Sequence, residues 1–80
     1  MAKYKLFTWH AWGLYDNWKL ALESKNISDI NTYLKGQKYL TYAIAEGNKI
    51  IKYVCAPLRN YMAPPSFPIH YNGEIFVKEN

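Results

Sequence analysis

Cysteine occurs once in this chain, at Cys55, and arginine once, at Arg59. A single thiol excludes a disulfide scaffold and fits a reducing compartment, so a cytoplasmic protein is expected. Paired metal ligands are missing: there is no Cys-x-x-Cys or His-x-x-x-His, and His10 and His70 stand far apart. A structural zinc site draws four ligands, usually in close pairs, so no metal is expected. The four glycines are isolated, which removes a phosphate-cradling loop. Asp16, Glu23, Asp29, Glu46, Glu74 and Glu79 are scattered in polar contexts and offer no carboxylate pair for acid–base work. No apolar run reaches the roughly 18 residues of a membrane span. Lys3 and Lys5 before the uncharged stretch Leu6 to Tyr15 imitate a secretory leader. That stretch holds Thr8, Trp9, His10, Trp12 and Gly13, and no small-x-small cleavage site follows it. These absences argue against an enzyme and against a cofactor.

What is present describes a folding chain. Half of the 80 residues are apolar, 18% are aromatic and 20% are charged. That balance excludes a disordered or low-complexity chain, and the length allows one domain, residues 1–80. Net charge is +4, with nine of the ten basic residues being lysine. Lys, Asn, Ile, Tyr and Phe supply 34 of the 80 residues. These types share A/T-rich codons, so an AT-rich genome accounts for much of the lysine. The charge keeps the chain soluble, attracts anions weakly and excludes an acidic mimic of DNA.

Lys3 to Trp9 alternates weakly and is rich in strand formers, which predicts a first strand. Leu14, Trp18 and Leu22 fall at i, i+4 and i+8 with Ala21 beside them, which predicts a helix from Leu14 to Ser24. A second helix is expected over Asp29 to Lys35. Ser28 serves as its N-cap, Ile30, Tyr33 and Leu34 form its apolar face, and Gly36 follows it. Lys38 to Ala45 and Lys49 to Cys55 read as a hairpin around Gly47-Asn48. That turn sets Glu46 opposite Lys49, Ile44 opposite Ile51 and Tyr42 opposite Tyr53. The face holding Leu40, Tyr42, Ile44, Ile51, Tyr53 and Cys55 is expected to meet the helices. Ile69 to Tyr71 and Glu74 to Lys78 read as a second hairpin with a type I′ turn at Asn72-Gly73. The expected fold is α+β: two helices packed on one face of a mostly antiparallel sheet, in the order β-α-α-β-β-β-β.

All four prolines fall within Ala56 to Pro68, which reads as a long, preordered loop. Prolines near both ends present the residues between them, so Arg59, Tyr61 and Met62 are candidate contact residues, with Leu58 and Phe67 turned inward as anchors. Lys49 and Lys52 on the neighbouring strand extend the candidate surface. Cys55 is expected on an inward face, where a thiol is a small inert hydrophobe. His10 is expected in an aromatic cluster and His70 in solvent. Two stretches interleave cations and rings: Lys3, Tyr4, Lys5, Phe7 and Trp9, and then Lys49, Lys52, Tyr53, Arg59 and Tyr61. Single-stranded nucleic-acid sites use that combination, although the rings of so small a domain must also build its core.

A chain that opens on Met1 and ends without a linker reads as a complete small gene product. Its composition suggests a non-enzymatic binding protein that inhibits or modulates a host protein or complex, as small proteins of bacteriophages and mobile elements do. A nucleic-acid-binding module is the second expectation. A nucleotide-sequestering protein, with a basic aromatic pocket at a homo-oligomer interface, is the third. A membrane partner is not expected.

Overall fold

Both faces of the first strand are apolar, and that shapes the whole architecture. In a computed structural model, which describes residues 3–9, 18–37, 40–55 and 67–78, the strand β1 spans Tyr4–Trp9. Tyr4 and Leu6 point to one side, and Phe7 and Trp9 to the other. A strand buried on both faces needs a layer on each side. One layer is the single helix; the other is the rest of the sheet curling over.

The described elements run β1, β2 (Trp18–Ser24), α1 (Ile27–Leu34), β3 (Tyr42–Glu46), β4 (Lys49–Val54), β5 (Ile69–Tyr71) and β6 (Glu74–Lys78). The strands form one sheet in the order β2-β1-β3-β4-β6-β5. All neighbours are antiparallel except β4 and β6. The end strands β2 and β5 come into contact, so the sheet is nearly closed into a barrel.

Two apolar cores result. Inside the barrel lie Phe7, Trp18, Ala43, Ala45, Ile50, Ile69 and Phe76. β3 sends in only the alanines Ala43 and Ala45, and this leaves room for the rings of the other strands. Small barrels fill their interiors with such small-and-large pairings. Outside, Ile27, Ile30 and Leu34 of α1 pack on Leu6 and Ile44, with Tyr4, Ala21, Leu22 and Tyr42 around them. Their spacing of three and four residues is the apolar stripe of a short helix.

The expected two-helix fold is therefore corrected: among the described residues the order is β-β-α-β-β-β-β, with one helix. The segment read as the first helix is β2 over its described part; Leu14 lies outside the described residues. Its spacing of four is shared by helix and strand, because four is close to 3.6 and is also an even number. Leu20, between Trp18 and Leu22, carries the distinction. Trp18 and Leu20 face the barrel interior, whereas Leu22 meets the helix. A β-bulge switches the faces: Leu6 pairs with Leu22 but Phe7 pairs with Leu20, so Ala21 is the extra residue.

The expected second helix exists but begins earlier, at Ile27, with Asn26 rather than Ser28 at its N-cap. Tyr33 is not on its buried face and stays 41% exposed. Asn26 makes no side-chain capping bond. Ser24 acts nearby instead: its hydroxyl donates to Asp29 and accepts from the Asn26 N–H.

The hairpin of β3 and β4 turns at Gly47-Asn48 as expected, with Glu46 opposite Lys49. Beyond that a second bulge intervenes. Ala45 pairs with Ile50 and Ile44 pairs with Lys52, so Ile51 is the extra residue. The expected pairings of Ile44 with Ile51 and Tyr42 with Tyr53 are replaced by Ile44–Lys52 and Tyr42–Val54. Ile51 turns to solvent and Tyr53 turns into the barrel rim. Cys55 is exposed, contrary to the inward position expected for it.

The last hairpin matches its expectation residue for residue. Asn72 and Gly73 both have positive φ, 49° and 79°, as a type I′ turn requires. Gly73→Val should cost about 1 kcal/mol or more, because a β-branched side chain is strained there. Urea unfolding of the variant measures this, and an unchanged midpoint contradicts it. The hairpin joins the sheet through a short parallel ladder, Lys49 beside Val77 and Ile50 beside Lys78. Asn48 adds two bonds: its side-chain amide donates to the Ile75 carbonyl at 3.0 Å, and its own carbonyl accepts from the Val77 N–H at 3.0 Å.

Candidate functional site

The helix covers only part of the barrel's outer surface, because its stripe lies on β1, β2 and β3. The outer surface of β4 and β6 carries apolar side chains in solvent: Ile51 at 48%, Val54 at 37%, Ile75 at 50% and Val77 at 49% exposure. Local sequence explains why. In β6 the run Ile75-Phe76-Val77 cannot place three consecutive side chains inside; Phe76 enters the barrel and its neighbours face out. In β4 Ile50 enters the barrel opposite Ala45, so Ile51 faces out, and the bulge then turns Val54 out as well.

The register sets some polar residues beside them. Lys49 stands beside Val77 across the β4–β6 ladder, and His70 stands opposite Ile75 across the β5–β6 hairpin. Lys49, Lys52 and His70 are exposed. Lys49 and Lys52 flank Ile51 on β4, with Val77 beside Lys49 and Val54 beyond Lys52. The nearest acid on β3, Glu46, is held by Lys3 at 3.1 Å. That contact raises the Lys3 pKa, first through the Glu46 hydrogen bond and then through its charge. Arg59, Tyr61 and Met62, with the rest of 56–66, lie outside the described residues, as does His10. Phe67, at the end of that connection, is half-buried against the barrel core, the inward position expected of it.

A second feature occupies the rim of the barrel. The rings of Trp18, Tyr53 and Phe67 form a triangle with centroid separations of 5.0 to 6.5 Å. Lys78 reaches over it, its Nζ 4.9 Å from the Tyr53 centroid and 5.5 Å from that of Phe67. Burial, helped by a hydrogen bond with the Cys55 side chain and by its charge, pushes the Tyr53 phenol up to about 12 from an ordinary 10. A raised phenol binds its proton more tightly in the folded state. Its contribution to stability is complete below pH 10 and is lost as pH rises through about 12. Tyr53→Phe should flatten the fall in stability between those values, as read from urea midpoints of both proteins across that window. Parallel curves would show that the Tyr53 hydroxyl titrates normally.

Sequence reasoning named Lys49 and Lys52, which are exposed, and treated Ile51 as inward and left Ile75 and Val77 unassigned. The signal was available: adjacent apolar residues in a strand force one of them outward unless both faces are covered. Among the described residues, no three His, Cys, Asp or Glu side chains converge as metal ligands. No helix among them is long and apolar enough to cross a membrane. Comparison with protein-family models, with curated proteins and with solved structures finds no match to this chain.

Proposed function

We propose that this chain is a non-enzymatic binding protein, an inhibitor or modulator that works by covering a surface of a larger host protein. The observation that carries this reading is the bare outer face of β4 and β6, where Ile51, Val54, Ile75 and Val77 are exposed on the strands that also carry Lys49 and Lys52. Several large apolar side chains exposed on neighbouring strands, with cations among them, are characteristic of docking sites. The partner surface is acidic at its edge and apolar at its centre. Two lysines share this face, and the whole chain carries +4, which steers it toward negative charge. The same charge disfavours a second copy of this chain, because lysines would meet lysines. Arg59, Tyr61 and Met62 belong to the same proposal on composition: their connection leaves β4 just after Val54.

The test is affinity capture from host lysate, with and without nuclease, followed by measurement of affinity for the captured protein at rising salt. The proposal expects a protein that survives nuclease and binds with modest salt dependence. Loss of every partner on nuclease treatment would replace it with a nucleic-acid module. In that case log K should fall with log salt by about 0.7 per phosphate contact for single strands. Self-association in sedimentation without any captured partner would replace it with a homo-oligomer.

A further inference from the structure

The rim of the barrel holds a cation against rings, and this feature is separate from the outer face of β4 and β6. We propose that the notch formed by Tyr53 and Phe67 is a binding site for a methylated or quaternary ammonium group, occupied in the free protein by the chain's own Lys78.

The geometry is that of a cation site. The Tyr53 and Phe67 rings are 5.0 Å apart and nearly perpendicular, at 84°. Trp18 backs both, 5.5 Å from Phe67 and 6.5 Å from Tyr53, and is itself 8% exposed. The notch therefore has a buried floor. Lys78 Nζ lies within the roughly 6 Å range of both rings at which ring quadrupoles attract a cation. Among the described residues, no carboxylate stands within ion-pair distance of Lys78. Among the described residues, its charge is met by the two rings.

Lys78 is a weak occupant for a physical reason. A primary ammonium is a compact, strongly hydrated charge, and approaching rings costs it part of that hydration. A trimethylammonium group spreads the same charge over methyls, loses less on leaving water and adds apolar contact with both rings. Lys78 is exposed and sits near the end of the last strand, so it can swing away without disturbing the core. While it fills the notch it lowers the apparent affinity for any other cation by the fraction of time the notch is empty.

Lys78→Gln vacates the notch and alters only an exposed side chain. Tetramethylammonium chloride is titrated into the wild-type and variant proteins against sodium chloride of equal ionic strength, with tert-butanol as a neutral analogue of similar shape. The readout is the Trp18 indole N–H and the Tyr53 ring resonances in NMR spectra. The expected result is saturable shifts at Trp18 and Tyr53, roughly tenfold tighter in Lys78→Gln than in the wild type, and absent with tert-butanol. Equal affinity in both proteins, equal response to tert-butanol, or no response in either overturns the proposal. None of these outcomes depends on the partner of the β4–β6 face.

Discussion

Phe76→Ala should lower stability by about 3–5 kcal/mol, the range for removing a large buried ring. Phe76 is fully buried, its ring 4.9 Å from that of Phe7, and Lys5 Nζ lies 5.9 Å from its centroid. Its role exceeds its own area. The β5–β6 hairpin joins the sheet through a short parallel ladder and the bonds of Asn48, so apolar packing by Phe76 and Ile69 fastens it to the barrel. An 80-residue domain has a total stability of only about 4–12 kcal/mol at the usual value per residue. The variant should be largely unfolded or close to it, as read by circular dichroism and urea unfolding. Ile75→Ala, one residue away and 50% exposed, should change stability by less than about 0.5 kcal/mol. Similar losses at both positions would mean that β6 does not alternate as described.

The converse should hold for binding. Ile75→Thr with Val77→Thr should reduce affinity for the proposed protein partner about a hundredfold, since central apolar contacts contribute a few kcal/mol between them. Both substitutions keep a β-branched side chain, so the strand retains its backbone preference. Both positions are about half exposed, at 50% and 49%, so little burial is lost and the melting temperature should stay nearly constant. Titration calorimetry with the captured partner and a thermal melt of the same variant separate the two effects. Unchanged affinity would remove the β4–β6 face from the site. A melting temperature lowered by several degrees would mark these side chains as part of the core.

Local chemistry was legible in the chain before any tertiary structure. Asn72-Gly73 specifies a turn with two positive φ angles, and its hairpin appears with the expected boundaries. Gly47-Asn48 sets Glu46 opposite Lys49 for a similarly local reason. Ile30 and Leu34 of the expected helical stripe are on the buried side of α1, while Ile27 takes the place expected of Tyr33. The exposure of Lys49 and Lys52 follows from their charge. These features depend on neighbours in sequence, which a single chain displays.

Everything that depends on distant neighbours was decided by the tertiary structure. The spacing of Leu14, Trp18 and Leu22 suits a helix and a strand equally; pairing of Trp18–Ser24 with β1 selects the strand. The bulges at Ala21 and Ile51 arise where strands must bend to bring β2 and β5 together, and no local signal marks them. The second bulge turned Tyr53 inward and Lys52 and Val54 outward, which made the ring cluster under Lys78 and added Val54 to the exposed outer face. The bare face of β4 and β6 exists because one short helix, docked on Leu6 and Ile44, cannot span the sheet. Which strand faces a helix covers is settled by packing between residues far apart in the chain, and periodicity along the chain carries no record of it.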